Sequence, residues 1–240
     1  MLAGVVIGEA DMSSKITWLG HGAVSVETGG KTVLIDPFLT GNPAASTTAE
    51  KVNADAIIVS HGHADHVGDT VDIAKRTGAQ VIAVHEIAVW AEQQGAPAGH
   101  GMNAGGGYEF PFGTLKFTPA VHSSSLPDGS YAGIACGVLL TLTDGVLYHA
   151  CDTALFSDMQ LIGRAGIDLA ILPIGDNYTM GPDDALQAVK LLNPKRVMPA
   201  HHSTWPVIAQ DAEAWGRRVA AETSAEPVIL KPGESCGLKG

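Results

Sequence analysis

The sequence predicts a mixed α/β fold, a four-layer αββα sandwich in which two mixed sheets pack face to face with helices outside. Short stretches rich in β-branched residues occur in the first and middle thirds of the chain. Each of these regions is followed by alternating strand and helix patterns. The 240 residues are 45% hydrophobic and 16% charged, which allows a large interior. Layers of this kind bury sheets that are apolar on both faces.

The first half of the chain begins with strands and then alternates. Gly29-Gly30 predicts a hairpin turn, and residues 40–54 are small and polar, as in a surface loop. The continuous apolar run at 56–60 predicts a strand that is buried on both faces. In order, we predict strands at 16–19, 23–28, 32–35, 56–60 and 81–84, and helices at 67–77 and 86–94.

The second half repeats this arrangement. Pro182 suits the first position of a helix. One face of a final helix carries Ile208, Ala212, Trp215 and Val219. In order, we predict strands at 108–111, 114–118, 133–142, 146–150, 169–172 and 196–199, and helices at 157–164 and 183–192.

The charge balance argues against a nucleic-acid partner. The chain has 14 Lys and Arg against 25 Asp and Glu, a formal net charge of −11, and it has no basic run. Binding along nucleic acid needs clustered cations that displace counterions. A small anion in a pocket stays compatible, because bound metal ions bring their own positive charge. We therefore expect a small-molecule substrate, and composition leaves open whether the chain forms a homo-oligomer.

Cysteine usage and hydropathy predict a cytoplasmic protein. The three cysteines are far apart and form no Cys-x-x-Cys pair, which fits a reducing compartment. No apolar run approaches the ~20 residues of a membrane-spanning helix, so we expect no membrane association. Residues 1–14 lack the basic start of a signal peptide, and we interpret them as an extension, with Met12 as an alternative native start. Residues 15–240 are predicted to form one domain.

Four side chains of the type that binds metal lie within six positions, directly after the predicted buried strand: His61, His63, Asp65 and His66. An extended segment points His61 and His63 to one side, and the other two fall in the following turn, where they face a second point nearby. Imidazole and carboxylate ligands suit Zn²⁺ and also Fe, Mn or Ni. Solvated loop histidines or a helix cap at Asp65 would be the alternative. Such a tight cluster, in a chain with only ten histidines, favours metal ligands.

This run resembles the His-x-His-x-Asp-His signature of the metallo-β-lactamase-fold superfamily, and the resemblance extends over nearly the whole chain, from about residue 16 to residue 230. It implies three later ligands: His122 in Thr-Pro-Ala-Val-His, Asp152 in Ala-Cys-Asp-Thr, and His201 in Met-Pro-Ala-His. The resemblance also implies a centre with two divalent metal ions. Its ligands would be His61, His63 and His122 for one ion and Asp65, His66 and His201 for the other, with Asp152 as the bridge.

The closer resemblance is to a branch of metal-dependent hydrolases related to ascorbate-6-phosphate lactonase. The phrases that carry it include Trp-Leu-Gly-His21-Gly, Ile-Asp36-Pro-Phe and Ile-Gly-Asp176-Asn-Tyr. Two positions depart from the pattern, because Cys151 stands in place of the expected Gly and His202 in place of Tyr. A cysteine at that position is expected to crowd or bind the metal.

Other polar side chains have two interpretations each. His21 either reaches the site, beside the ligands or the substrate, or is a hydrogen-bonded core histidine. Asp36 and Asp176 either hydrogen-bond ligand histidines, as metal sites usually require, or stabilise turns. His149 is expected to be structural or to support a ligand, and His202 to be solvated or to support a ligand. His85 and His100 have no other histidine near them in the sequence, so we do not expect them to bind metal.

The expected activity is hydrolysis of a small ester, lactone, amide or phosphoester. Two metal ions ~3.5–4 Å apart can deprotonate a shared water and polarise the bond under attack. We expect Asp65 or Asp152 to orient this nucleophile and pass its proton on. No Gly-x-Ser-x-Gly elbow is present, which argues against a serine nucleophile.

Three alternatives use the same kind of site. A nuclease or phosphodiesterase acting on nucleic acid is disfavoured by the acidic charge. A redox-metal oxidoreductase of this fold often carries glutamate at the second histidine of the signature, where this chain has His63. A non-catalytic metal-binding protein would have no need of the complete ligand set.

Overall fold

The computed structural model describes residues 13–240, so most of the predicted extension and the alternative start at Met12 lie outside the described residues. Ser14, which the sequence assigns to the extension, is fully buried. Its amide donates to Asp144 Oδ2 over 2.7 Å, and its carbonyl accepts from the amide of Leu238 over 3.0 Å. The folded domain therefore includes at least one residue more than predicted.

Strands and helices follow one another much as predicted. No helix in the described part of the chain has the length and apolar composition needed to cross a membrane. The strands are β1 Lys15–Gly20, β2 Ala23–Thr28, β3 Lys31–Ile35, β4 Ala56–Ile58, β5 Gln80–Val84, β6 His100–Met102, β7 Gly107–Phe110, β8 Gly113–Pro119, β9 Cys136–Leu142, β10 Gly145–His149, β11 Leu169–Pro173, β12 Arg196–Ala200, β13 Glu226–Pro227 and β14 Ser235–Gly237. The helices are α1 Ala64–Val67, α2 Thr70–Thr77, α3 His85–Gln93, α4 Met159–Gly163, α5 Pro182–Leu192 and α6 Ala212–Glu222, with a 3-10 turn at Pro206–Ile208.

The described strands form two mixed sheets of seven strands each. The first has the order β14-β1-β2-β3-β4-β5-β6, antiparallel from β14 to β3 and parallel from β3 to β6. The second has the order β13-β12-β11-β10-β9-β8-β7, parallel from β13 to β10 and antiparallel from β10 to β7. Both sheets therefore have a parallel half, in which the chain alternates between strand and helix.

Strand β11 shows how the layers form. Leu169 and Ile171 are buried in the core that joins the two sheets, whereas Ala170 and Leu172 are buried in a second core with α4, α5 and α6. Successive side chains of a strand point to opposite faces, so a continuous apolar run covers both. Helix α2 packs against β4 and β5 of the first sheet, and α3 packs against β5 and β6. The predicted four-layer αββα arrangement is confirmed.

The helix predicted at 67–77 is interrupted, and α1 and α2 replace it. The chain turns at Gly68, which has a φ of 43° and at which a Cβ atom would lie 2.5 Å from the Cα atom of Phe38. The carboxylate of Asp69 then accepts hydrogen bonds from the amides of Leu39 and Thr40, over 2.9 and 2.8 Å. These hydrogen bonds attach the start of α2 to the loop that follows β3.

Other boundaries also differ from the prediction. The strand predicted from residue 133 begins at Cys136, because Gly133 has a φ of 75°, in the left-handed region that strands do not use. The final helix begins at Ala212, because Ile208 lies in the 3-10 turn. The sequence did not predict β6, β13 and β14, which have only two or three residues each. Strands this short show no alternating pattern in the sequence.

Candidate metal centre

The predicted ligands converge at the carboxyl ends of strands from both sheets. The early histidine run follows β4, while His122, Asp152 and His201 follow β8, β10 and β12. The carboxylate of Asp152 lies 3.5 Å from His122 Nε2 and 3.2 Å from His201 Nε2. It also lies 3.3 Å from His66 Nε2 and 4.0 Å from His61 Nε2. Segments that are far apart in the chain thus meet at one carboxylate, at the strand ends where ligand sites of α/β proteins form.

The first group of potential metal ligands consists of His61, His63 and His122. The Nδ1 atom of His63 lies 3.0 Å from His61 Nε2 and 3.2 Å from His122 Nε2, so three ring nitrogens face one point. The other ring nitrogen of His63 lies 3.3 Å from the hydroxyl of Ser123. Burial lowers the pKa of His61 and of His122, so both rings stay neutral and keep a lone pair for a metal ion.

The second group consists of Asp65, His66 and His201, with His21 as an additional member. Asp65 Oδ2 lies 3.1 Å from His21 Nε2 and 3.8 Å from His201 Nε2. His21 is fully buried, which lowers its pKa to about 4, and its Nδ1 atom lies 2.8 Å from Thr204 Oγ1. Since a carboxylate only accepts, the neutral His21 ring donates from Nε2 to Asp65 and accepts from Thr204. His21 therefore reaches the site through Asp65.

Asp36 lies behind the ligands and anchors two of the histidines. Its Oδ2 atom lies 2.8 Å from His66 Nδ1 and accepts from the Ser60 hydroxyl over 2.6 Å. The Ser60 oxygen in turn lies 2.9 Å from His61 Nδ1. His66 and His61 therefore each carry a proton on Nδ1 and direct Nε2 toward Asp152. Ser60 was not singled out in the sequence, although it directly precedes the histidine run.

The backbone of the site is unusual at several positions. Four of its non-glycine residues are in the left-handed region, with φ between 47° and 56°: His21, Asp36, Cys151 and His201. Such conformations cluster at functional sites, where the surrounding structure holds them in place. Gly62, inside the histidine run, is equally constrained, because a Cβ atom there would lie 2.4 Å from Ala132 Cβ.

The electrostatic environment favours a cation between the two groups. Burial alone would lower the pKa of His201, but the Asp152 carboxylate raises it to about 9. The pKa of His66 is also raised despite burial, by Asp152 and Asp36. Burial would raise the pKa of Asp152 and of Asp65, but the neighbouring histidines hold both well below the usual range. Both carboxylates are therefore ionised, and such charges in the interior require a positive partner.

Buried polar atoms without a hydrogen-bond partner show that a metal ion fits here. Among the described residues these atoms include His66 Nε2, His201 Nε2 and Asp152 Oδ1. A buried polar atom that is left unpaired is costly, and such atoms in a native structure call for a partner. A divalent cation among these donors would satisfy all three. Imidazole and carboxylate donors suit zinc, and also manganese, iron or nickel.

Cys151 belongs to none of the potential ligand groups in the described chain. Its thiol donates to the carbonyl of His149 over 3.6 Å, and burial raises its pKa well above the usual value, so the thiol stays protonated. The ring of His149 accepts from the amide of Cys151 and donates to the carbonyl of Gly22, each over 3.0 Å. His149 is therefore a structural residue, which joins the turn after β1 to the segment before Asp152.

His202 is buried, so the expectation that its side chain is solvated is wrong. It is only 9% exposed, and its ring stacks on Trp18 with 5.3 Å between centroids.

Asp176 is exposed and accepts from the amide of Asn177 within its own turn, so the structure does not bring it to the ligands. Two other histidines lie away from the ligand groups, His85 on α3 and His100 on β6.

A cavity of about 530 Å³ opens onto the ligands. Its volume is within the range of small-molecule sites. One wall is formed by Tyr178, Trp205 and Val207, from the loops that follow β11 and β12. The sequence did not indicate Trp205 and Val207, because an apolar residue in a loop carries no local signal of function, and Tyr178 stood only within the phrase Ile-Gly-Asp176-Asn-Tyr. The remaining lining residues are His63, Asp65, His122, Ser123, Asp152 and His201.

Two facing mixed sheets with a histidine and aspartate cluster at their shared edge define a protein of the metallo-β-lactamase fold. A family model described as a beta-lactamase superfamily domain matches residues 31–202. The chain is 52% identical over 220 residues to a UPF0173 metal-dependent hydrolase from Thermus thermophilus, covering 92% of this chain and 97% of that protein. It is 50% identical over 229 residues to one from Pelotomaculum thermopropionicum, covering 93% and 100%. The chain therefore belongs to the β-lactamase superfamily, and within it to the UPF0173 metal-dependent hydrolases.

A solved structure supports the same assignment. A metallo hydrolase from the archaeon Ignicoccus hospitalis has a TM-score of 0.86 and 37% sequence identity. The match covers 94% of this chain and 98% of that one. The similarity therefore extends over both sheets and the site between them.

Proposed function

We propose that this protein hydrolyses a small ester, lactone or phosphoester with two divalent metal ions bound at the candidate centre. The observation that carries the proposal is the position of Asp152, whose carboxylate lies within 4.0 Å of ring nitrogens from both ligand groups. A carboxylate in that position suits a bridging ligand. Zinc is our first choice of metal, because the donors are imidazole and carboxylate, and Mn²⁺, Fe²⁺ or Ni²⁺ would use the same donors.

The proposed ligands follow from the two groups. The first group offers three side chains and the second offers three besides His21, and the Asp152 carboxylate lies near both groups. When bound, the metal ions acidify water and polarise the bond under attack. The proposed ligands are His61, His63 and His122 for one ion and Asp65, His66 and His201 for the other, with Asp152 between them.

Asp65 is the side chain best placed to take a proton from the attacking water. It lines the cavity and is 29% exposed, whereas Asp152 is 4% exposed and surrounded by histidines. The hydrogen bond from His21 holds the Asp65 carboxylate in one orientation, and Thr204 holds His21. In the proposal, Thr204 and His21 are positioning residues, because they act on the reaction only through Asp65.

The cellular setting is part of the proposal. All three cysteines are unpaired, and two of them are buried, which fits a reducing compartment such as the cytoplasm.

The cavity is of a size for a small-molecule substrate. A nucleic-acid substrate is disfavoured, because a net charge of −11 repels its phosphates.

Elemental analysis, followed by a panel of ester, lactone and phosphodiester substrates, tests the proposal. We expect about two metal ions per chain. His61→Ala should lose metal and reduce hydrolysis by about 100-fold or more, because even residues that only support ligands contribute 10- to 100-fold. The matched control is His85→Ala, an exposed histidine outside the ligand groups, which should change neither metal content nor hydrolysis.

The same sample separates the alternatives. Cleavage of single-stranded RNA in preference to all small substrates would contradict the proposal and favour a nuclease. Iron as the native metal, together with a reversible signal in an anaerobic redox titration and no hydrolysis, would favour an oxidoreductase. Absence of bound metal in a folded sample supplied with zinc would also contradict the proposal.

A further inference from the structure

The cavity over the ligands has an apolar wall, and none of the lining residues within 13–240 is Lys or Arg. Tyr178 and Val207 are 57% and 53% exposed, and both lie at this cavity. Exposed apolar side chains grouped at a cavity are typical of a ligand site. We infer that the substrate is a neutral ester or lactone with a flat apolar group beside its scissile bond. This inference rests on the proposed function.

Trp205 provides a fixed surface for such a group. Its ring meets His21 edge-on, with 4.9 Å between centroids, and lies 6.2 Å from the ring of Phe38. His21 is fully buried and Phe38 lies in the loop after β3, so these neighbours hold the indole in place. A flat substrate group can stack on an aromatic ring held in this way, because offset-stacked and edge-to-face pairs are both favourable.

The other two side chains of the wall lie on loops that are tied to the core. The loop with Tyr178 is fastened by the amide of Met180, which donates to the carbonyl of Thr153 over 3.0 Å. The turn with Val207 is closed by the amide of Ser203, which donates to the carbonyl of Ile208 over 2.8 Å. These hydrogen bonds hold both loops in place, so the side chains of Tyr178 and Val207 stay exposed at the cavity. An apolar group placed between them would remove both from water.

Charge argues for a neutral substrate. A phosphate monoester carries close to two negative charges near neutral pH, and proteins usually bind it with Arg, Lys or a helix N-terminus. Here the described lining residues apart from the proposed metal ligands are Ser123, Tyr178, Trp205 and Val207, so no protein cation is offered to such a group. A neutral ester or lactone needs no such partner.

Paired substrates and a matched variant test the inference. Benzyl acetate and butyl acetate are both neutral and differ in the flat group, and phenyl phosphate supplies a dianion. We expect the zinc-loaded protein to prefer benzyl acetate and to leave phenyl phosphate almost untouched. Tyr178→Ala should raise KM for benzyl acetate about tenfold with little change in kcat, since the contact of the flat group with the Tyr178 ring is made equally before and during reaction. Tyr178→Phe should restore the wild-type KM.

The control is Tyr108→Ala, a tyrosine on β7 with 52% exposure that does not line the cavity; it should change nothing. Saturation-transfer NMR with benzyl alcohol and with butanol provides a readout that does not depend on hydrolysis. We expect transfer to benzyl alcohol that is weakened in Tyr178→Ala. If no ester is cleaved but this transfer is seen, the proposed activity fails while the apolar subsite stands. Equal transfer to both alcohols, an unchanged KM in Tyr178→Ala, or preferred hydrolysis of phenyl phosphate would overturn the inference.

Discussion

His66 Nδ1 lies 2.8 Å from Asp36 Oδ2, and both side chains are fully buried. The same carboxylate oxygen accepts from Ser60, which contacts the ring of His61. One aspartate thus sets the proton position and the orientation of a histidine in each ligand group. Carboxylates behind metal-binding histidines orient the rings and make them better donors.

Asp36→Asn should weaken metal binding. The amide keeps the size of the side chain but removes its charge, so we expect affinity for zinc to fall about 10- to 100-fold. Competition with a chromophoric chelator measures this loss, and circular dichroism confirms that the variant is folded. Asp176→Asn is the matched control, because Asp176 is exposed and bonded only within its turn. Equal affinity in Asp36→Asn and the wild type would contradict the anchoring role.

The metal-free protein should lose stability as the pH rises from about 6.5 to about 9. The pKa of His201 is raised from 6.5 to about 9 in the folded state, so its contribution is complete below 6.5 and is lost through 9. A shift of this size corresponds to a difference on the order of 3 kcal/mol in the free energy of unfolding. The raised pKa of His66 acts in the same direction.

Urea unfolding at pH 7.5 and pH 9.5 measures this effect, with a chelator in one series and zinc in the other. The histidines whose pKa is lowered, such as His21 and His61, are already neutral at pH 7.5 and do not offset the contribution of His201. Metal binding requires both rings to lose a proton, so the zinc series should show a smaller loss or a gain in stability as the pH rises. Stability of the metal-free protein that stays constant or increases over this range would contradict the assignment.

Cys151→Ala should leave the metal content unchanged. The thiol donates to a backbone carbonyl and stays protonated, whereas a metal ligand would be a thiolate. Elemental analysis of the purified variant checks this prediction. The reference is the metal content of wild-type protein prepared in parallel. Loss of one metal equivalent on this substitution would show that Cys151 is a ligand.

Gly62→Ala should distort the histidine run. The added methyl would lie 2.4 Å from Ala132 Cβ and 2.9 Å from the Ser125 carbonyl oxygen, so the loop must move. We expect a loss of about 1–3 kcal/mol in the free energy of unfolding and weaker zinc binding. Gly107→Ala, where the added methyl meets only ordinary contacts of 3.6 Å or more, is the control. A thermal unfolding curve equal to the wild type in Gly62→Ala would refute this packing.

The sequence predicted most of the fold and the four ligands of the early histidine run because their signals are local, whereas the resemblance to the superfamily implied His122, Asp152 and His201. Buried strands show as apolar runs, and the spacing of His61, His63 and His66 is visible within six positions. The roles of Ser60 and Trp205 were not predictable in this way. Each depends on a neighbour brought close only by folding, Asp36 in one case and His21 in the other.

The dinuclear centre is tested most directly by anomalous X-ray diffraction from crystals of the zinc-loaded protein at the zinc absorption edge. We predict two peaks about 3.5–4 Å apart, one on each side of the Asp152 carboxylate. One should be surrounded by the first ligand group and the other by the second. A single peak remote from Asp152, or no peak in crystals whose zinc is confirmed by fluorescence, would contradict the assignment.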